Sequence, residues 1–149
     1  MVEKFKQIFA GLDYAYGNFK KETSNIPSQK VEGKSTVIRQ PVTDELWKSH
    51  LEGVGLRLGI FPVTVEGTCR WGVIDIDKYS YDYEALLKKI RQEKLPLIMC
   101  RSKSGGAHIF LFTETLVPAT EVKYAMEKCA AILGVKDIMD RIYPMQTKI

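Results

Sequence analysis

The run Trp71-Gly72-Val73-Ile74-Asp75-Ile76-Asp77 constrains this chain more than any other segment. Residues Arg70–Asp77 read as a strand, and side chains two apart on a strand share a face. Asp75 and Asp77 therefore stand together while Ile74 and Ile76 face the other way, with the two aspartates roughly 6.6 Å apart along the backbone. Two carboxylates this close on an apolar strand repel each other, and burial raises the pKa of at least one. A divalent cation removes that penalty. Hard oxygen ligands suit Mg²⁺ or Mn²⁺, with water and substrate phosphates filling the remaining positions. The plainer alternative is a strand whose acids lie at its exposed end.

A second constellation follows at Arg101-Ser102-Lys103-Ser104-Gly105-Gly106-Ala107-His108, entering the apolar run Ile109-Phe110-Leu111-Phe112. Adjacent glycines let backbone N–H groups approach an anion closely, and consecutive amides in a tight turn form an anion-binding concavity. Arg101 and Lys103 add positive charge, Ser104 a hydroxyl, and His108 an imidazole where the turn becomes a strand. The spacing is not that of a Walker A loop, GxxxxGK[ST]. A polar hairpin turn is the alternative. A third segment, Asp137–Gln146, places Asp140 between apolar neighbours, an awkward position for a carboxylate without a cation beside it. Arg141 could be that cation, which would make the acid structural.

The rest of the chain supplies the frame. Phe5, Ile8, Phe9, Leu12, Tyr16 and Phe19 space as a first helix broken near Gly17, and residues 22–41 read as a loop or connector with a short strand at Thr36–Arg39. Thr43 caps a helix with acids in its first turn that ends at Gly53. His50, at that helix's end, is expected to cap its carbonyls. Val54–Val65 and Arg70–Asp77 suggest two strands joined by a Glu66-Gly67 turn as a hairpin. Tyr83–Lys94 and the stripe from Val122 to Leu133 read as amphipathic helices, the second closed by Gly134. Leu97–Cys100 and His108–Phe112 read as short strands. Mixed strands and helices with hairpins point to an α+β fold. Trp47 and Trp71 are read as core anchors, and one of Tyr79, Tyr81 and Tyr83 as a pocket-lining residue.

Composition narrows the functional classes. The 149 residues fit one compact domain or two small lobes, 45% hydrophobic and 27% charged, as in ordinary globular chains. No membrane-length apolar run or signal peptide is present, so a soluble, cytoplasmic protein with no membrane partner is expected. Three scattered cysteines and two histidines argue against a zinc knuckle, a disulfide framework or a multi-histidine metal site. A net charge of +4 leans toward anionic partners.

The order hydrophobic-Asp-Ile-Asp, then Ser-Gly-Gly-Ala-His on a strand, then hydrophobic-Asp resembles the three motifs of the archaeo-eukaryotic primase, or primase-polymerase, superfamily. The nearest likeness is to the branch of TOTE conflict systems and CRISPR-associated primase-polymerases. Phe9-Ala-Gly, Tyr16-Gly17, Thr43–Trp47, His50–Gly53, Leu58–Pro62 and Asp140–Gln146 are similar to flanking segments there, so the likeness spans almost the whole chain. It implies an RRM-like catalytic sheet packed against a second α/β lobe, with the site in the cleft between them. It also implies that Asp75, Asp77 and Asp140 bind metal and that His108, Ser104 and the Gly105-Gly106 turn contact the triphosphate. Arg101 and Lys103 join that set on charge and position. The cysteine-rich insertion of some relatives is missing. The sequence stops where relatives usually continue, so the module is expected to be truncated or part of a larger protein.

The implied activity is template-dependent nucleotidyl transfer from NTPs or dNTPs by a two-metal mechanism, with Mg²⁺ or Mn²⁺ as cofactor. The partners are nucleotide triphosphates and a DNA or RNA template, with further domains or subunits of a replication, repair or defence system. Lys20, Lys21, Lys30, Lys34 and Arg39 are candidate contacts to template phosphates. The competing classes are a non-catalytic nucleotide or nucleic-acid-binding module and a metal-dependent nuclease. A glycosyltransferase with a DxD-held nucleotide diphosphate fits less well, since it leaves the Ser-Gly-Gly-Ala-His turn and Asp140 without a role.

Overall fold

A computed structural model describes residues 1–21, 33–55, 57–102 and 105–149. They form an α+β protein with four helices and two antiparallel sheets, dividing into two compact units, Met1–Phe61 and Pro62–Ile149. Among the described residues no helix is long and apolar enough to cross a membrane.

The first unit contains α1 (Val2–Ile8), β1 (Tyr16–Lys21), β2 (Gly33–Ile38), α2 (Asp44–Glu52) and β3 (Arg57–Ile60). Its sheet runs β2-β1-β3. The helix expected to reach Gly17 stops at Ile8, and Tyr16 and Phe19 belong to β1 instead. Pairing on both sides of β1 outweighs the helical spacing of its apolar residues, because each paired residue satisfies backbone groups that a lone surface helix gains only weakly. The strand expected at Thr36–Arg39 is β2; residues 22–32 of the expected connector lie outside the described residues. Thr43 caps α2, its Oγ1 accepting the Leu46 N–H at 3.4 Å, and Gly53 ends it in the left-handed region at φ 70°. Leu12, Ala15, Tyr16 and Trp47 are buried, with the Phe5 ring edge-on to Trp47.

His50 corrects an expectation. Its Nδ1 accepts the Leu58 N–H of β3 at 3.2 Å rather than serving the helix carbonyls, which the N–H groups of Gly53 and Val54 take. An acceptor nitrogen requires the neutral ring. Burial, and then the Arg57 charge, hold its pKa below the usual histidine value.

The second unit contains β4 (Thr68–Ile76), α3 (Tyr83–Gln92), β5 (Leu97–Arg101), β6 (Ala107–Pro118), α4 (Ala119–Leu133) and β7 (Arg141–Tyr143), with sheet order β5-β6-β4-β7. The hairpin expected from Val54–Val65 and Arg70–Asp77 does not form. β3 pairs with β1, while β4 pairs with β6 and β7. The Glu66-Gly67 turn exists, with Gly67 at φ 73°, but it leads into β4 from a segment that joins no sheet. The apolar composition of Val54–Val65 is shared between β3 and the buried Val63, so strand-like residues were divided between two packing duties.

Register sorts the central strands into two faces. Ile74 lies opposite Ile109 and Ile76 opposite Ala107, and all four are at most 2% exposed. Ile74, Ile76 and Ile109 join Met126, Val122, Ala130 and Leu133 of α4 in the core. α4 packs directly on β4, since a Cβ on Gly72 would come within 2.8 Å of both Val122 and Met126. Trp71, Val73 and Asp75 point the other way, opposite Phe112, Phe110 and His108.

Two outcomes follow. Met126→Ala, which empties a fully buried site, should lower unfolding stability by about 2–5 kcal/mol in a denaturant titration. For His50, a folded pKa below the unfolded value means that the unfolded chain binds more protons below about pH 6.5. The stability due to neutral His50 is therefore full above that pH and falls as pH drops toward the folded pKa. His50→Gln, which keeps a neutral acceptor, should melt with a smaller loss between about pH 7 and pH 5 than the wild type; equal losses would show that His50 does not titrate with folding.

Candidate active site at the end of β4

Burial changes character at the end of β4. Ile76 is fully buried, Asp75 has a side chain 30% exposed, and Asp77, just past the strand, is exposed. No charged or polar residue is buried among those described, so the acids sit where the core gives way to solvent.

The neighbouring strands bring nitrogen-bearing side chains to Asp75 from both sides. His108 is its partner on β6 and Arg141 its partner on β7, and directly opposed residues share a face. The His108 Nε2 lies 3.3 Å from Asp75 Oδ1, and the imidazole stands edge-on to Phe110. Asp140 is delivered by the chain entering β7: its backbone N–H donates to the Asp75 carbonyl at 2.7 Å. Its carboxylate faces Arg141, with Nε 2.9 Å from Oδ2. The Arg141 guanidinium is held in its charged form chiefly by the Tyr143 side chain and further by Asp140 and Asp75. The Tyr79 hydroxyl donates to Asp77 at 3.0 Å.

The glycine turn is pressed against this strand end. A Cβ on Gly106 would lie 2.0 Å from the Ile76 carbonyl oxygen and 3.2 Å from the Asp77 Cα, and Gly105 has φ 98°. Gly106 is thus required by the close passage of the turn over β4, and Gly105 by its left-handed backbone. The turn closes through Gly105 N–H to the Ser102 carbonyl and Ser102 N–H to the Gly106 carbonyl. Those two amides are engaged within the loop, which leaves fewer N–H groups for an anion than the sequence suggests. Lys103 and Ser104 lie outside the described residues, as do Lys30 and the side chains of Lys20, Lys21 and Lys34.

Arg101 separates from the cluster. It pairs with Ala107 on the core-facing side of the sheet, one residue out of phase with His108. There it lines a cavity of about 350 Å³ with Tyr81, Tyr83, Met99, Gly105 and Gly106. Burial raises the Tyr83 pKa, with Asp77 and Tyr81 adding to the shift. Sequence reasoning brought in Arg141 only as a partner for Asp140. Its position beside Asp75 has no sequence signal, because a three-residue strand carries no period to read.

The donor chemistry suits a hard divalent cation in part. Mg²⁺ is commonly held by one or two carboxylates plus substrate phosphates, and the β4 end supplies two. The third carboxylate is engaged by Arg141. Among the described residues no group of three or more His, Cys, Asp or Glu side chains is placed to hold a metal ion. Asp75 and Asp77 therefore fit the expected role by type, whereas Asp140 is adjacent but not joined to them.

An acid–histidine pair at a sheet end, a glycine turn beside it and a further acid alongside make up the polar end of this sheet. The chain belongs to the archaeo-eukaryotic primase domain family of TOTE conflict systems, which it matches over residues 3–149. No curated protein matches the chain. The membership suggests a primase-like nucleotidyltransferase as the coarse functional class.

The turn's dependence on Gly106 is measurable. Gly106→Ala should force the loop off β4, lowering stability by roughly 1–3 kcal/mol and shifting the amide resonances of Asp75–Asp77. An unchanged melt with unchanged resonances would show that the turn does not rest on that strand.

Proposed function

We propose that this chain is a template-dependent primase-polymerase, joining nucleotides with release of pyrophosphate. The observation that carries the reading is the register Asp75–His108–Arg141 across β4, β6 and β7, with Asp140 bonded to the Asp75 backbone, in a chain of the primase family. The sheet of the second unit supports the RRM-like description, since its elements run β-α-β-β-α-β with the first and third strands central.

The bond formed joins a 3′-oxygen to the α-phosphorus, and the bond broken releases pyrophosphate. Asp75 and Asp77, with Asp140 alongside, would hold the divalent ions, which would supply a lowered pKa for the 3′-hydroxyl and charge neutralisation on the leaving group. The chain's own residues do the positioning. His108 keeps its Nε2 toward Asp75 and turns its other ring edge to the phosphates, to which Nδ1 donates when it carries a proton. Arg141 holds Asp140 beside Asp75 and offsets the repulsion among the acids before ligand arrives. The glycine turn, seated on Ile76 and Asp77, fixes the height of the floor on which the phosphates rest. Such fixed groups act mainly by orientation and electrostatics.

The Asp140–Arg141 pair favours one second reading, a nucleotide-binding module without turnover, in which the third acid is permanently structural. Primer extension separates the two. With template, NTPs or dNTPs and Mg²⁺ or Mn²⁺, the wild type should extend, and Asp75→Ala/Asp77→Ala should lose on the order of 10²-fold or more in rate, as expected for several kcal/mol of charge stabilisation. Equal extension by both removes the catalytic assignment; metal-dependent triphosphate binding without extension leaves the binding module.

A further inference from the structure

The first two residues of β6 face opposite ways. His108 belongs with Asp75, whereas Ala107 and its partner Arg101 lie on the core-facing side of the sheet. On that side the loop before α3, the end of β5 and the glycine turn line the cavity of about 350 Å³. Tyr81, Tyr83 and Met99 belong to its wall and also pack against the core, so this wall is in place before any ligand arrives. The two tyrosine rings meet edge to face, with centroids 5.4 Å apart and planes at 65°. The loop is tied to itself: the Tyr83 hydroxyl donates to the Lys78 carbonyl and the Tyr83 N–H to the Tyr81 carbonyl. Ser80, also in the lining, stands at φ 61°. A serine in the left-handed region is strained, and such strain concentrates at ligand clamps and switch regions.

The lining sets the chemistry of an occupant. Small-molecule sites run from about 300 to 1,000 Å³, so this one takes a single ring system with a small substituent rather than a triphosphate. The tyrosine wall suits a planar ring, which packs on it by stacking or edge contact. Arg101 supplies a permanent positive charge in a planar fork that matches a phosphate or carboxylate with two parallel hydrogen bonds. The amides of Ser102 and Gly105 are already used within the turn, which leaves anion recognition to that guanidinium. Burial, and after it the charge of Asp77, raise the Tyr83 pKa, so a carboxylate's field reaches this wall and disfavours a polyanion.

We propose that this cavity is a second ligand site, for a planar aromatic ring carrying one acidic group, with Arg101 holding the phosphate or carboxylate and Tyr81 and Tyr83 the ring. The inference goes beyond the activity proposed above and does not need it, since Arg101 and Ala107 lie on the opposite side of the sheet from Asp75 and His108. A bare inorganic anion makes no use of the tyrosine wall, and an uncharged ring makes no use of Arg101. Both are therefore poorer ligands than a molecule that joins the two features.

Isothermal titration of the full chain in EDTA, which keeps divalent metal out, tests the proposal. The probes are adenosine and uridine monophosphates and, as an aromatic acid without ribose or phosphate, indole-3-carboxylate. At least one should bind, and inorganic phosphate and adenosine should bind roughly tenfold or more weakly, the cost of losing one charged or stacking contact. Binding by the monophosphates alone identifies a phosphorylated ring as the ligand, and binding by the indole acid alone a carboxylate. Arg101→Gln, at an exposed strand end, should keep the melting temperature and weaken binding roughly 10- to 150-fold, as for a hydrogen bond to a charged group. Tyr81→Leu keeps apolar bulk against the core and should weaken binding roughly 5- to 150-fold. His108→Ala should bind as the wild type does. A wild type that binds none of the three probes overturns the inference, as does wild-type affinity in both Arg101→Gln and Tyr81→Leu. Binding lost in His108→Ala but kept in Arg101→Gln overturns it too, by placing the ligand on the other face. Arg101-dependent binding by a chain that extends no primer sinks only the catalytic reading; Asp75-dependent extension with no probe bound sinks this inference alone.

Discussion

The arrangement of the second unit depends on the change from burial to exposure along β4. Its core-facing side chains pack against α4 so closely that position 72 admits no Cβ, and this fixes the strand's height and rotation. Once the strand is clamped, alternation leaves Asp75 no choice of face. A carboxylate there is tolerated because it lies at the strand's end, partly wet, and because strands on either side bring His108 and Arg141 opposite it. The same clamping sets the depth at which the glycine turn crosses the Ile76–Asp77 backbone. Site and core are thus two faces of one constraint, and a shift of β4 by one residue would exchange them.

The site carries its own counter-charge. Acids gathered at one end of a strand repel one another, and a chain that gathers them must offset that repulsion. Arg141 does so for Asp140 and, from its place across the ladder, for Asp75. Such an internal cation leaves the site partly neutralised, with the guanidinium already engaging Asp140. The separation of Arg101 onto the core-facing side, beside Tyr81 and Tyr83, shows that the basic residues around the glycine turn serve two different surfaces.

Legibility from sequence followed the range of the forces involved. α2 was readable because Thr43, Asp44, Glu45 and Gly53 act within a turn of where they stand. α4 was readable because its stripe repeats over fifteen residues and ends in Gly134. Tyr16 and Phe19 misled because their spacing also suits a helix, and only partners on both sides of β1 decide for a strand. The expected hairpin failed for a related reason: a turn at Gly67 is local, but the destination of each flanking strand is not. Likewise, His50 could be seen to end a helix, yet its acceptor role depends on Leu58 of a different element.

By itself the sequence determined the alternation on β4, the sharp turns at Gly67 and Gly105, the glycine-marked ends of α2 and α4 and the family to which the chain belongs, since these rest on neighbouring residues or on motif order. Tertiary structure alone decided that Asp75 meets His108 and Arg141, that Asp140 turns to a cation, and that Arg101 leaves the cluster. The reason is physical. Side-chain direction has a period the chain spells out locally, whereas which strand lies beside which is settled by the burial of whole faces, a sum over residues far apart in sequence.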